Sequence, residues 1–231
     1  MSPAWSRDRR LCDRAAVHAA LGEPARLAIV EALVTSDRSP KELGDRLGLP
    51  SNLLAHHLEV LEDAGVVTRS ASAGDGRRKY VRLDRRRLGS LGVAGRAPRG
   101  DMLFLCSQNS ARSQLAAALW TARTGRHAAS AGTRPAASVH KGAVAAAKRA
   151  GVSLADAVPT ELGRVSGDVQ VVTVCDLVHE ELDPRPDWWH WSIPDPVVVG
   201  DAKAFDAVVA ELEMRIASVA NDVDDDDGAS R

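Results

Sequence analysis

The chain has 231 residues, enough for two domains of roughly 100 residues each. Hydrophobic residues make up 45% of it and charged residues 26%, which excludes a wholly disordered chain. No apolar run approaches the roughly 20 residues of a membrane-spanning helix, and the charged first residues predict no signal peptide. Three cysteines, far apart in the sequence, make no disulfide framework. We therefore expect a cytoplasmic protein with no membrane partner.

Charge is distributed unevenly along the chain. Residues 1–100 carry a net charge of +6 and residues 101–231 a net charge of −7. This asymmetry favours a module that faces nucleic acid, joined to a module of another kind. The alternative is that the arginine run at 85–87 and the acidic residues at 224–227 skew the count without functional meaning.

Two stretches of unusual composition set the predicted domain boundaries. Residues 89–100 are rich in Gly and contain Pro, which predicts a linker. Residues 221–231 have too few apolar groups to offset chain entropy, which predicts a disordered acidic tail. The predicted domains are therefore residues 10–88 and residues 101–220.

Helical patterns fill most of the first predicted domain. Apolar residues recur at helical spacing over 18–33 and predict a helix there. Ser39 and Glu42 have the spacing of a capping box, which predicts the start of a second helix. Ser51 is placed to cap a third helix over 52–64. Because the last two helices are short and joined by a tight Gly-containing turn, they predict a helix-turn-helix.

A β-hairpin is expected after these helices. Residues 66–69 and 77–83 read as strands around a Gly-Asp-Gly tip at 74–76, with basic residues near that tip. A helix-turn-helix followed by a basic hairpin predicts a winged helix, an α+β fold that binds DNA.

Three stretches of this domain resemble the ArsR family of winged-helix repressors: HAALGEPARL at 18–27, LLAHHLEVL at 53–61 and GVV at 65–67. The resemblance covers about residues 10–88. It implies a homodimer on operator DNA, with the second helix of the motif in the major groove and the wing on the backbone. The DNA-binding residues that it implies are Ser51, Asn52, His56, His57, Arg77, Arg78 and Lys79. For the two histidines, the alternative is one surface residue and one residue packed on the preceding helix.

The cysteines of this half differ from those of arsenic-sensing ArsR members. Such members carry thiolates on the first helix of the motif, and residues 40–47 contain none. Cys12 is the single thiol before residue 100. Its role stays open between a ligand shared across a dimer and an inert thiol, and no metal site is predicted.

The second domain begins with a pattern that carries chemistry. The apolar run 102–105 predicts a buried strand, which leads into Cys106, five residues, Arg112 and Ser113, and then an Ala- and Leu-rich helix. Loop N–H groups, a helix dipole and a planar guanidinium together bind a tetrahedral oxyanion and stabilise a thiolate beneath it. The predicted oxyanion-binding residues are Ser107, Gln108, Asn109, Ser110, Ala111, Arg112 and Ser113. The alternative is a buried core cysteine at the end of a strand.

Strands alternate with helices through the rest of the second domain. The expected strands are 127–130, 170–174 and 189–193, and the expected helices are 137–150 and 204–219. This alternation predicts an α/β fold with a parallel sheet, whose site lies at the carboxyl ends of the strands. Cys106, Cys175 and Asp195 are expected at those ends.

Several motifs of residues 101–220 resemble the low-molecular-weight tyrosine phosphatase fold and, within it, the thioredoxin-linked arsenate reductases. They are CSQNSARSQ at 106–114, SAGT at 130–133, VH at 139–140, VTVCD at 172–176, HW at 190–191 and DP at 195–196. The resemblance implies Cys106 as the nucleophile, Arg112 as the oxyanion clamp and Asp195 as the general acid. It also implies that Asn109 and Ser113 hold the loop and support the thiolate.

The cysteine relay of those reductases is incomplete in this chain. Cys175 matches the first relay cysteine, whereas Leu182 stands where the second belongs, and Gln108 replaces a glycine usual in the loop. No tightly bound cofactor is implied, but an external thiol is needed. We favour a small-molecule thiol over thioredoxin, because Leu182 cannot carry a disulfide outward by exchange.

The two resemblances together predict an arsenic-resistance protein. Transcriptional regulation would be joined to arsenate reduction on one chain, with arsenate or a phosphate-like oxyanion as the bound substrate. One alternative is a protein tyrosine phosphatase. The other is a non-enzymatic repressor whose second domain senses an oxyanion or thiol oxidation.

Overall fold

The computed structural model describes residues 9–85, 98, 100–165, 169–182 and 184–220. These residues form two compact units, one made of residues 9–71 and 78–85, and the other of residues 72–77 and the described chain from 98 onward. Almost all of the predicted linker and the whole predicted tail lie outside the described residues. Among the described helices, none is long and apolar enough to cross a membrane.

The first unit contains four helices and a hairpin. They are α1 (Arg9–Leu21), α2 (Pro24–Thr35), α3 (Pro40–Leu47), α4 (Ser51–Asp63), β1 (Val67–Ala71) and β2 (Lys79–Leu83). The two strands pair antiparallel from Val67 opposite Leu83 to Ala71 opposite Lys79. Buried side chains from the helices and the hairpin, among them Leu33, Leu58 and Val81, form one core. The predicted winged helix-turn-helix is therefore present in the described residues.

Two helix boundaries differ from the sequence prediction. The single helix expected over 18–33 is two helices, because Glu23 accepts a hydrogen bond from the Arg26 N–H at 2.9 Å and so begins α2 anew. Ser51 is the first residue of α4 rather than its cap, and Pro50 occupies the capping position without a side-chain bond. The capping box of α3 forms as predicted, with the Ser39 N–H donating to the Glu42 carboxylate at 2.6 Å.

The second unit is a parallel sheet with helices. Its elements are β3 (Asp101–Cys106), α5 (Arg112–Thr124), β4 (Ala128–Gly132), α6 (Lys141–Arg149), β5 (Val169–Thr173), α7 (Asp176–Glu181), β6 (Trp189–His190), α8 (Pro196–Val199) and α9 (Ala202–Ala220). The strand order is β4-β3-β5-β6, and every described pairing in this sheet is parallel. The predicted α/β parallel-sheet class is thus confirmed, and the sheet brings the carboxyl ends of all four strands to one edge.

Several elements of this unit differ from the sequence prediction. The helix expected over 137–150 begins at Lys141, because the ring nitrogen of His140 accepts from the Gly142 N–H at 3.1 Å and ends the preceding loop. The strand expected over 189–193 has only two residues. The short helices α7 and α8 were not expected. Asp195 begins α8 by accepting from the Val197 N–H at 3.0 Å.

Candidate functional site

The loop between β3 and α5 turns its carbonyl groups outward. The Ser107 carbonyl accepts from the Arg134 N–H, the Gln108 carbonyl from the Ala136 N–H, and the Ser110 carbonyl from the His140 N–H, at 2.8 to 2.9 Å. A peptide unit points its N–H away from its C=O, so the N–H groups that follow these carbonyls turn toward the inside of the loop. The loop therefore has the donor arrangement that an oxyanion requires.

Cys106 lies at the floor of this loop with 3% of its surface exposed. The Asn109 N–H donates to the Cys106 Sγ at 3.2 Å, and the Ser113 Oγ lies 3.0 Å from the same sulfur. The Ser113 Oγ accepts from the Asn109 Nδ2 at 2.8 Å, which leaves its own proton available to the sulfur. Both contacts place polar groups directly at the sulfur, close to the N-terminus of α5.

Asn109 holds the loop in shape from inside. Its backbone is left-handed, with φ at 48°, a conformation that Asn tolerates better than most residues. Its Oδ1 accepts from the Gln114 Nε2 at 3.0 Å and from the Thr160 N–H at 2.8 Å, and its Nδ2 also donates to the Ser130 Oγ at 2.9 Å. All hydrogen-bonding positions of this buried amide are used, so the loop is preorganised.

Sequence reasoning assigned no role to three residues that support this loop. Gln114 and Gly132 stand within motifs that carried the resemblance, and Thr160 stands in none. A Cβ on Gly132 would lie 2.7 Å from the Ser107 carbonyl oxygen and 3.0 Å from the Asn109 nitrogen. Only glycine therefore allows β4 to approach the loop this closely.

Arg112 and Asp195 meet beside the loop. The Arg112 Nη2 donates to the Asp195 Oδ2 at 2.7 Å, and the Arg112 Nη1 donates to the Ile193 carbonyl at 3.1 Å. The Arg112 side chain is almost fully buried, whereas about a third of the Asp195 side chain is exposed. Asp195 therefore reaches solvent from a position that Arg112 fixes.

Cys175 occupies the position after β5 at which α7 begins, and 4% of its surface is exposed. The preceding Val174 N–H donates to the Leu105 carbonyl at 2.8 Å, so the chains leading to Cys106 and Cys175 are hydrogen-bonded neighbours. Leu182 ends α7 and packs against the core of the unit. Of the described residues, no group of three or more His, Cys, Asp or Glu side chains is arranged to hold a metal ion.

The predicted DNA-binding residues lie in two places, on α4 and at the hairpin. Ser51, Asn52 and His56 are exposed on α4, and Arg77, Arg78 and Lys79 are exposed at the hairpin. His57 does not share the exposed face, because it is 7% exposed and its Nδ1 lies 3.7 Å from the Glu23 carboxylate. The inclusion of His57 among the DNA contacts is therefore at odds with its position. Cys12 is exposed on α1.

The site of this α/β domain combines a strand that ends in a buried cysteine, a loop with outward carbonyl groups and a helix that begins with arginine. Residues 101–228, more than half of the chain, match the family described as low molecular weight phosphotyrosine protein phosphatase. The chain belongs to this family. Residues 21–70 match a family described as a helix-turn-helix domain. The predicted helix-turn-helix of the first half and the predicted low-molecular-weight phosphatase fold of the second half are thereby confirmed.

Three relatives each match one half of the chain. The chain is 45% identical over 64 residues to the HTH-type transcriptional repressor SmtB of Mycobacterium tuberculosis, a match that spans 28% of this chain and 45% of that protein. The tyrosine phosphatase AmsI of Erwinia amylovora is 26% identical, with a TM-score of 0.47, over 54% of this chain and 93% of that one. An arsenate reductase in the phosphate-binding state is 19% identical, with a TM-score of 0.45, over 54% and 98%.

Proposed function

We propose that the chain joins a DNA-binding transcriptional regulator to an arsenate reductase within arsenic resistance. The proposal of a reductase rests on the groups that surround the Cys106 sulfur. The Cys106 Sγ receives the Asn109 N–H, lies beside the Ser113 hydroxyl and sits below inward-facing loop amides. Arg112, the first residue of the helix that follows the loop, is hydrogen-bonded to Asp195. This arrangement supports the proposal of Cys106 as the nucleophile, the loop as the oxyanion site and Asp195 as the proton donor.

The first step is attack of the Cys106 thiolate on arsenic. Loop N–H groups and the Arg112 guanidinium bind the arsenate oxygens, which carry the negative charge. Asp195 gives its proton to the departing oxygen, which leaves as water. A bond between the Cys106 sulfur and arsenic(V) has then formed, and one arsenic–oxygen bond has broken.

The second step reduces arsenic. A thiol attacks the Cys106 sulfur and forms a disulfide, while the electron pair of the sulfur–arsenic bond passes to arsenic, which leaves as arsenite. The attacking thiol is an external small molecule or Cys175. A further external thiol then returns Cys106 to its reduced form. In this account nothing is bound permanently, and the two electrons come from thiols.

The first unit is proposed to bind operator DNA as a homodimer. The exposed polar residues Ser51, Asn52 and His56 begin the second helix of the helix-turn-helix, which is the end that reaches base edges in this class of motif. The hairpin presents Arg77, Arg78 and Lys79 for contacts to phosphate. A dimer doubles the number of base pairs read, which a single motif needs for useful specificity.

The second candidate activity is phosphotyrosine hydrolysis. Leu182, in the place of the outer relay cysteine, favours it, because a phosphatase needs no relay. The same groups would act: Cys106 would attack phosphorus, Asp195 would protonate the phenolate, and water would release phosphate from the sulfur.

A turnover assay with arsenate and with an aryl phosphate, each with several thiol donors, tests the proposal. We expect catalytic release of arsenite by the wild type and by Cys12→Ser, and none by Cys106→Ser. Aryl-phosphate hydrolysis without arsenite release would replace the reductase with the phosphatase. Turnover of neither substrate would leave a sensor of oxyanions or of thiol oxidation.

A further inference from the structure

A second cluster of buried polar side chains includes residues on both sides of Cys175 in the sequence, apart from the oxyanion loop. Its side chains are those of Thr173, Asp176, His179 and His190. Thr173 and His190 have no exposed surface, and the other two are at most 6% exposed. Burial of so many polar groups costs free energy unless each one is hydrogen-bonded. The oxyanion-loop chemistry described above uses none of them.

Hydrogen bonds join the four side chains into one network. The Asp176 Oδ1 lies 3.1 Å from the His190 Nε2, and the His190 Nδ1 lies 2.9 Å from the Thr173 Oγ1. The Thr173 Oγ1 lies 3.0 Å from the His179 Nδ1. The two imidazole rings stack with their centroids 4.0 Å apart and 15° between their planes. Strands β5 and β6 are thereby tied to helix α7.

Asp176 is the charged acceptor at one end of this network. Burial raises the pKa of Asp176, but the hydrogen bond from His190 and other hydrogen bonds, together with the His190 charge, outweigh burial and lower the pKa below its ordinary value. Asp176 is therefore a carboxylate at neutral pH and accepts the proton of the His190 Nε2. The His190 ring is held in one orientation as a result.

Residues of the network lie on both sides of Cys175 in the sequence, and their hydrogen bonds restrain the backbone there. Thr173 precedes Cys175 by two residues, Asp176 follows it directly, and His179 follows one helical turn later. The His179 N–H also donates to the Cys175 carbonyl at 3.1 Å. Any movement of Cys175 relative to β5 would therefore have to break a buried hydrogen bond.

We propose that Thr173, His179 and His190 are positioning residues that hold the Cys175 thiol for attack on the Cys106 sulfur. This inference rests on the proposed reductase function. In the step concerned, the Cys106–Cys175 bond forms and the Cys106–arsenic bond breaks. Its electron pair stays on arsenic, and the Cys175 proton passes to an arsenite oxygen. Attack on sulfur requires alignment, and a misplacement of about 1 Å costs about 100-fold in rate.

The test uses peroxide in place of arsenate, so it remains readable if arsenate is not a substrate. Peroxide converts Cys106 to a sulfenic acid, and attack by Cys175 then forms the disulfide with loss of water. In a Cys12→Ser background, mass spectrometry after alkylation follows both steps. Thr173→Val, which keeps the shape and removes the hydroxyl, should slow disulfide formation at least tenfold and leave sulfenic acid formation unchanged. Thr173→Ser should restore the wild-type rate.

A second pair of variants covers the case in which Thr173→Val does not fold. His179→Phe keeps a stacking ring and loses the Nδ1, whereas His179→Asn keeps a nitrogen near that position. We expect His179→Phe to slow the disulfide step and His179→Asn to retain most of its rate. Disulfide formation at the wild-type rate in Thr173→Val or His179→Phe, or equal slowing of both steps, would overturn the proposal.

Discussion

At the scale of single residues, the candidate site depends most on Asn109. Its backbone N–H contacts the nucleophilic sulfur, and its side chain joins Ser113, Ser130, Gln114 and Thr160. One amide thus connects α5, β4 and the loop at 160 with the thiolate site. Its bonds are internal to the protein, so their loss is not compensated by water.

Two substitutions of Asn109 distinguish the contribution of its side-chain hydrogen bonds from that of its backbone conformation. Asn109→Ala removes the bonds and also strains the left-handed backbone, whereas Asn109→Gly removes the bonds and accepts the backbone. We expect both variants to lose at least about tenfold in kcat, because the donors above Cys106 are no longer held in place. Activity restored in Asn109→Gly alone would assign the role to backbone conformation instead.

Gly132 permits a close approach that a methyl group would prevent. In Gly132→Ala the added Cβ would meet two backbone atoms of the loop, which cannot move as a flexible side chain can. We expect a loss of about 1–3 kcal/mol in unfolding free energy and a parallel loss of turnover. Gly163→Ala is the matched control, since nothing lies within 4 Å of its added Cβ. Equal effects of the two substitutions in urea unfolding would contradict this account.

Asp176 predicts a pH dependence of stability. Its pKa is lower in the folded protein than in the unfolded chain, so the unfolded chain binds more protons as the pH falls. The stabilisation is fully present above about pH 4–5 and is lost as the pH falls below the ordinary carboxyl pKa. Between pH 3 and 6, the unfolding free energy measured with urea should change less with pH in Asp176→Asn than in the wild type. Asp156→Asn, at an exposed position, should leave this pH dependence unchanged, and the same pH dependence in all three proteins would contradict the assignment.

At the scale of elements, local signals predicted more than distant contacts did. The strand, loop and helix around Cys106 follow from neighbouring residues, and so does the capping box of α3. The start of α6 depends on a histidine ring acting as a cap, which the apolar pattern does not reveal. Thr160 reaches Asn109 across 51 positions of sequence, and no local pattern indicates such a contact.

The two histidines of α4 illustrate the same limit. They are adjacent in the sequence, and the sequence does not show which of them faces the core, because that depends on packing against other helices. His57 turns toward Glu23 at the start of α2, whereas His56 stays exposed. The helix was therefore predictable, but the set of residues on its exposed side was not.

The hairpin is expected to contribute charge rather than sequence discrimination. Arg77→Ala combined with Arg78→Ala should weaken binding to every duplex and reduce the dependence of log K on log salt, because fewer counterions are released. Lys203→Ala, on α9 of the second unit, should change neither quantity. Fluorescence anisotropy at several salt concentrations measures both. A wild-type slope in the double variant would remove the hairpin from the interface.

At the scale of the whole molecule, one chain carries two different domains. One contains a helix-turn-helix and a hairpin, and the other contains a cysteine at the floor of the loop between β3 and α5. The described structure contains one cysteine beside the active-site strand, Cys175, and a leucine where a relay to the surface would continue. Varying the reductant is therefore the most informative test of the proposed chemistry.

Multiple-turnover arsenite release, measured with a small-molecule thiol and with thioredoxin, is the decisive test of the proposed reductase. With the small thiol we predict turnover by the wild type, most of it retained in Cys175→Ser and none in Cys106→Ser, because the external thiol attacks the Cys106 sulfur itself. With thioredoxin we predict poor turnover, since a Cys106–Cys175 disulfide lies inside the site. Robust wild-type turnover with thioredoxin alone, abolished in Cys175→Ser, would contradict the account and mean that two cysteines complete the relay.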